Sequence, residues 1–200
     1  MKIIFAGGGT GGHLMAGLSI AQEISSRFPD TRVIFFGTDR NKESRYIEES
    51  NYEFKPIMAC KPTSFIRLPL FAFASLIGII HSLINLLRIK PDIIIGLGGY
   101  GSALPVVAAN IIGIPIVLIE QNVIPGRANL KMSRWADAVL CHWEHSRKQF
   151  KKGIVEVTGV PIRSGIIENK TEAVDNPFGL DFQKKTLLIM GGSQGAQAIN

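Results

Sequence analysis

Cysteine is scarce in this sequence, and its scarcity excludes two kinds of small protein. Cys60 and Cys141 are the two cysteines in 200 residues, and they form neither a CxxC pair nor a spacing typical of a metal site. A disulfide scaffold or a zinc module needs more cysteines, placed closer together. We therefore predict reduced, packed thiols in a cytosolic protein, with no metal site.

Acidic residues are also few, at 16 against 22 basic residues, and the formal net charge is +6. Such an excess favours anionic partners such as phosphates, nucleic acid or acidic lipid, without selecting among them. A long apolar leader is missing as well. The run Met1–Ala6 is too short for a signal peptide, and glycines follow where apolar residues should continue.

What is present is an alternation of short apolar runs and helical stretches. The runs are rich in β-branched residues and unbroken, which is typical of parallel strands buried on both faces. Predicted strands cover 2–6, 31–37, 92–96, 115–119 and 136–140, and predicted helices lie near 12–27, 40–50, 67–89, 101–112 and 126–134. This alternation predicts an α/β fold with a doubly wound parallel sheet.

The pattern changes near residue 160, which predicts a domain boundary. Residues 1–160 form the first domain, and the polar segment 161–184, with Pro161 and Pro177, is typical of a linker. Residues 185–200 then predict a new strand, a glycine loop and the start of a helix. We interpret the chain as one complete domain plus the first βα unit of a second.

Three glycine loops each follow a predicted strand: "GGGTGGH" at 7–13, "GLGGYGS" at 96–102 and "GGSQG" at 191–195. At such a junction the backbone N–H groups of a helix start face a ligand, and glycine lets an anion approach closely. Gly7, Gly9 and Gly12 also satisfy GxGxxG, the fingerprint of NAD(P)-binding oxidoreductases. The acidic residue of that fingerprint is missing, because the second strand ends in Gly37. The glycine loops therefore predict a phosphate-bearing ligand, and NAD(P) stays an alternative that the absence of this acidic residue disfavours.

His13 lies in the first turn of the helix after the first glycine loop. The positive helix end disfavours imidazolium, so the sequence predicts a neutral ring able to accept a proton. A transferase with a phosphate leaving group needs such a base for the incoming hydroxyl. A packed or helix-capping histidine is the alternative.

Polar residues also follow the strand "PIVL" in the stretch "IEQNVIPGRAN". Glu120, Gln121 and Asn122 fall at the carboxyl edge of the sheet, where open α/β folds bind ligands. Three hydrogen-bonding side chains there are suited to a hydroxyl-rich ligand, with helix capping as the alternative for Gln121.

The segment between Arg67 and Arg88 holds 20 residues without a formal charge. Its length could span a bilayer. Small and polar residues recur at helical spacing, however, which favours a helix packed inside the fold: Ser75, Gly78, Ser82 and Asn85. We predict peripheral contact with an anionic membrane surface through an apolar group: Phe65, Ile66, Leu68, Leu70, Phe71 and Phe73.

Five motifs together carry a family resemblance: "GGGTGGH", "GLGGYGSALP", "IEQNVIPGRANL", "TGVPIR" and "MGGSQGAQAIN". In order and spacing they resemble the MurG family of glycosyltransferases, over essentially all 200 residues. The resemblance implies a GT-B fold, with two Rossmann-like domains. It also implies an inverting transfer of N-acetylglucosamine from UDP-N-acetylglucosamine to undecaprenyl-diphosphate-linked muramyl-pentapeptide, without metal, cofactor or nucleic acid, at the cytoplasmic face of the bacterial membrane.

The resemblance also assigns roles to residues. His13 matches the candidate base. Residues assigned to the donor are Thr10, Gly11, Gly12, Asn122, Arg163 and Ser193, and residues assigned to the acceptor are Gly98, Gly99, Tyr100 and Glu120. Ala16 and Val160 depart from the family pattern, which usually has Pro and Asn there. Because most donor contacts are expected in the second domain, we predict that the 200-residue chain alone is inactive. A non-catalytic, membrane-associated nucleotide-binding module is a further alternative.

Overall fold

A computed structural model describes residues 1–7, 11–38, 43–58, 68–151, 153–163, 179–181 and 183–189. Its strands are β1 (Lys2–Ala6), β2 (Arg32–Gly37), β3 (Glu53–Pro56), β4 (Ile93–Gly96), β5 (Ile116–Glu120), β6 (Ala138–Cys141) and β7 (Ile154–Val157). Its helices are α1 (Gly11–Arg27), α2 (Glu43–Glu49), α3 (Leu68–Ile89), α4 (Tyr100–Ile111), α5 (Arg127–Met132) and α6 (Glu144–Arg147). The chain divides into two compact units, Met1–Ile162 and Arg163–Asn200.

The seven strands form one sheet in the order β3-β2-β1-β4-β5-β6-β7, and every neighbouring pair is parallel. The order reverses direction at β1 and β4, which is the switch point of a doubly wound sheet. The predicted fold class is confirmed. The strands β3 and β7 and the short helix α6 were not predicted.

The core lies on both faces of the sheet. Along β1, Ile3 and Phe5 pack with α1 on one face, while Ile4 and Ala6 pack on the other with residues of α3 and α4. Because both faces are covered, the central strands need apolar residues at every position, and this is why they read as continuous runs.

Helix α3 packs through the small residues that recur along it. Gly78 and Ser82 are buried, and Ser75 and Asn85 are partly buried. A methyl group at Gly78 would overlap the carbonyl oxygen of Met58 and lie 2.5 Å from Leu104 Cδ1 of α4. Glycine thus permits the close approach of α3 to α4, and the predicted packed face is confirmed.

The opposite side of α3 is exposed and apolar. Residues Phe71–Ile89 have a mean hydropathy of 1.7, and 22% of this apolar stretch is buried inside the fold. By length and composition this helix could therefore cross a membrane. It is, however, the crossover between β3 and β4 of a single sheet. Of the apolar group predicted to touch a membrane, Phe65 and Ile66 lie outside the described residues. Phe71 is partly buried and Phe73 is exposed.

One segment of the second unit differs from its predicted secondary structure. Residues 185–189, predicted as the first strand of a second domain, form no strand. A strand needs a hydrogen-bonded neighbour. Leu187, Leu188 and Ile189 of this segment are exposed. The predicted glycine loop at 191–195 lies outside the described residues.

Candidate active site

The carboxyl ends of four neighbouring strands, β1, β4, β5 and β6, converge at one edge of the sheet. The glycine loops after β1 and β4 touch there, since a Cβ at Gly7 would lie 2.9 Å from the carbonyl oxygen of Gly98. Gly7 has φ +118° and Gly98 has φ +94°. The positive φ favours glycine at both positions, and the close approach to Gly98 O also requires it at Gly7. Thr10 and Ser193 lie outside the described residues.

The two helices that follow these loops start at this edge. Gly11 and Gly12 are the first residues of α1, and both are exposed. Tyr100 is the first residue of α4, and no side chain caps that helix start at Gly99. An uncapped start leaves backbone N–H groups for an anion. Gly98, Gly99 and Tyr100, assigned to the acceptor diphosphate by sequence, thus lie at such a start.

Glu120, at the end of β5, is 1% exposed and holds the loop that follows. Its Oε1 accepts hydrogen bonds from the backbone and side-chain nitrogens of Asn122, at 2.8 and 3.0 Å. Its Oε2 accepts bonds from the backbone N–H of Gly126 and from Asn129 Nδ2, at 2.9 and 3.0 Å. The carboxylate is therefore satisfied by its own chain and organises the loop 121–126. The predicted contact of Glu120 with an acceptor stays a prediction.

Asn122 and Gln121 are presented by that loop in different ways. Asn122 is exposed, and its amide nitrogen is anchored on Glu120. Gln121 connects two other site residues. Its Nε2 lies 3.5 Å from the carbonyl oxygen of His13, and its carbonyl accepts a 3.0 Å bond from Trp143 Nε1. The loop therefore joins α1 to the residues that follow β6.

His13 lies in the first turn of α1 and is partly buried. Its Nε2 is 3.6 Å from the point where a Cβ at Gly98 would lie. Burial lowers the pKa of His13 below its ordinary value, and the charge of Glu120 opposes this shift in part. The ring is accordingly neutral at pH 7 and can accept a proton.

Sequence reasoning missed two residues beside His13. His142 is 7% exposed and donates its backbone N–H to the carbonyl of Glu120 at 2.9 Å. Burial also lowers the pKa of His142, with the charge of Glu120 opposing the shift and that of His13 adding to it. Asn129 is 2% exposed and bonds to Ile119 O and Glu120. Asn129 lies within the motif "IEQNVIPGRANL", but neither helix nor strand periodicity predicts its contact with Glu120, nine residues earlier.

Arg163, assigned to the donor by sequence, is exposed and is the first residue of the second unit. Among the described residues, no group of three or more His, Cys, Asp or Glu side chains is arranged to hold a metal ion.

The lowered pKa values of His13 and His142 predict a pH dependence of stability. Their pKa values are lower in the folded protein than the value near 6.5 of an unfolded chain. The unfolded state therefore binds more protons in this range, and the free energy of unfolding should fall as the pH drops below about 6.5. Urea titrations between pH 8 and pH 5.5 test this. His142→Gln should flatten the pH dependence, whereas the same change at the exposed His145 should not. If the free energy of unfolding changed equally with pH in both variants, His142 would not be a source of the pH dependence.

The sequence also matches a family of known proteins. Residues 3–141 match the model of the glycosyltransferase family 28 N-terminal domain. The chain belongs to glycosyltransferase family 28. The resemblance inferred from the five motifs is thereby confirmed at the level of the family.

Two bacterial relatives carry the name UDP-N-acetylglucosamine–N-acetylmuramyl-(pentapeptide) pyrophosphoryl-undecaprenol N-acetylglucosamine transferase. The protein of Flavobacterium psychrophilum is 36% identical over 204 residues, which cover 100% of this chain and 55% of the relative. That of Myxococcus xanthus is 36% identical over 202 residues, which cover 100% of this chain and 51% of the relative. This family 28 chain spans about half the length of the curated relatives it matches.

Solved structures share the fold. MurG of Acinetobacter baumannii superposes with a TM-score of 0.68 at 23% identity, covering 84% of this chain and 47% of that chain. A UDP-GlcNAc 2-epimerase from Neisseria meningitidis, solved with UDP-GlcNAc, superposes with a TM-score of 0.59 at 18% identity. This match covers 80% of this chain and 46% of the epimerase chain. At these identities the likeness concerns the fold alone, which is the Rossmann-like α/β fold predicted from the sequence.

Proposed function

We propose that this family 28 chain forms the acceptor-side half of an inverting glycosyltransferase. The enzyme moves N-acetylglucosamine from UDP-N-acetylglucosamine to undecaprenyl-diphosphate-linked N-acetylmuramyl-pentapeptide. The observation that carries the proposal is the arrangement of a neutral His13 beside two glycine loops that lead into helix starts. The relatives matched along the whole chain carry the name of this activity.

In the proposed reaction His13 acts as the general base. The acceptor sugar hydroxyl attacks the anomeric carbon of the donor sugar and gives its proton to the imidazole. The new C–O bond forms as the bond to the UDP oxygen breaks, and the bonding electrons leave with the diphosphate. Attack from the face opposite the leaving group inverts the anomeric centre.

The remaining assigned residues hold the two substrates. The uncapped start of α4 at Gly99 and Tyr100 offers N–H groups to the acceptor diphosphate. Asn122, which Glu120 anchors by its nitrogen, contacts the donor sugar. The other donor contacts come from Thr10, Gly11, Gly12, Arg163 and Ser193.

We further propose that the protein is peripheral, at the cytoplasmic face of the membrane, because its acceptor carries a polyprenyl chain. The exposed side chains of α3 support this. They form an apolar stripe with helical spacing, here named the α3 stripe: Phe73, Leu76, Ile77, Ile80, Ile84 and Leu87. Arg88 is exposed in the last turn of the same helix. Apolar insertion next to a basic residue is suited to an anionic leaflet.

The α3 stripe predicts reversible binding to anionic vesicles. Each inserted side chain contributes about 1.5–3 kcal/mol, so the double variant Leu76→Ser, Ile80→Ser should lower vesicle binding by at least about tenfold. Cosedimentation measures this, and high salt should release the wild-type protein. Ile154→Ser, which removes an exposed apolar side chain on the edge strand β7, is the matched control. Equal binding by all three proteins would contradict docking through α3.

A genetic experiment tests the proposed reaction. The full coding sequence that contains this chain should restore growth and lipid-linked disaccharide synthesis in a bacterium depleted of its own transferase. The His13→Ala version should not restore either. Failure of the wild-type sequence, despite normal expression, would reject the proposal. The NAD(P)-dependent alternative would then be tested by comparing the thermal shifts caused by NAD and by uridine nucleotides.

A further inference from the structure

Asn129 holds a buried acceptor that its own loop does not use. Its Nδ2 donates to Ile119 O at 2.9 Å and to Glu120 Oε2 at 3.0 Å, which fixes the orientation of the amide. Its Oδ1 is buried and has no hydrogen-bond partner among the described residues. Leaving such an acceptor without a donor is costly in a folded protein. A donor is therefore expected close to Oδ1.

The geometry above Gly98 points to that donor. The position of a Cβ on Gly98 lies 3.7 Å from Asn129 Oδ1 and 3.6 Å from His13 Nε2. Both atoms therefore border the same position beside Gly98, which its φ of +94° keeps for glycine. A neutral imidazole carries one N–H, and the bond made by one nitrogen decides which nitrogen carries it.

We propose that Asn129 is a positioning residue whose Oδ1 accepts a hydrogen bond from Nε2–H of His13, so that Nδ1 is the nitrogen that accepts a proton. The catalytic consequence rests on the proposed function. When Nδ1 takes the proton of the acceptor hydroxyl, the ring becomes imidazolium, and the bond from Nε2–H to Asn129 strengthens because its donor is now charged. No proton moves to Asn129.

Two other groups act on the charge of His13 from neighbouring strands. Glu120 at the end of β5 favours the imidazolium, and His142 after β6 interacts with His13 through charge. Both influence whether the ring is charged. Asn129 instead selects which nitrogen keeps the proton in the neutral ring, and pH titration alone does not report this choice.

Nitrogen NMR on the 200-residue chain labelled with ¹⁵N-histidine tests the proposal without any substrate. The sequence has four histidines, and His13→Gln identifies the signals of His13. At pH 8, Nε2 of His13 should be of the protonated, pyrrole-like type, and Nδ1 should be pyridine-like. A His13 ring protonated on Nδ1 would overturn the proposal. Because this spectrum is recorded on the wild-type chain, the result does not depend on whether a variant folds.

Two variants then separate the tautomer from the structure of the loop. Asn129→Ala should shift the tautomer ratio toward Nδ1–H by about tenfold. Asn122→Ala, which also removes a bond to Glu120, is the matched control and should retain Nε2–H. A folded Asn129→Ala protein with an unchanged ratio would also overturn the proposal. Neither negative result would count against the proposed transfer activity, because the growth experiment tests that activity separately.

Discussion

Replacing His13 by alanine is expected to lower the rate of sugar transfer by about 10²–10⁴-fold at saturating substrates, because it removes the proposed general base for the attacking hydroxyl. Donor affinity should change little, since the assigned donor contacts come from backbone and side chains elsewhere. The measurement is kcat and KM for both substrates, made with the protein expressed from the full coding sequence.

The exposed His145, on α6, provides the matched control for this experiment. His145→Ala should leave both constants unchanged. A His13→Ala enzyme that keeps the wild-type kcat would give His13 a structural role, and the base would then have to be sought among other residues.

Replacing Glu120 by leucine is expected to lower the free energy of unfolding by about 3–5 kcal/mol. The change removes four hydrogen bonds to a buried carboxylate and leaves the donors of Asn122, Gly126 and Asn129 without their acceptor. Because the loop 121–126 depends on these bonds, transfer activity should fall even where the protein remains folded. Urea denaturation at pH 7.5 measures the change in stability.

The control for Glu120 is the same substitution at an exposed glutamate. Glu144 makes a 3.7 Å ion pair with Arg147, and both side chains are more than half exposed. Such a pair contributes little, so Glu144→Leu should change stability by less than about 1 kcal/mol. A similarly small effect at Glu120 would show that the loop is held by other contacts.

The sequence predicted the central strands because burial on both faces leaves a continuous apolar run. The edge strands lack that signal. In β3, Glu53 and Lys55 are partly exposed and Glu53 pairs with Arg32 and Lys55. In β7 three of the four residues are exposed. Such strands are specified by pairing with a neighbour that is distant in the sequence, and local periodicity does not report it.

The site was predicted in part for a similar reason. The glycine loops and His13 are local features, each read from one stretch of chain. Glu120 was predicted at the correct edge of the sheet, but its role depends on partners up to nine residues away. His142 was missed because the predicted strand ended at residue 140. The actual strand continues to Cys141, which brings His142 to the same edge as Glu120.

The most direct test of the central claim is an assay of sugar transfer in vitro. The purified protein from the full coding sequence is incubated with radiolabelled UDP-N-acetylglucosamine and undecaprenyl-diphosphate-linked N-acetylmuramyl-pentapeptide in anionic vesicles. We predict that label enters the lipid fraction as a disaccharide with inverted anomeric configuration, and that His13→Ala suppresses this. Absence of labelled lipid product from a folded, vesicle-bound wild-type protein would contradict the proposed function.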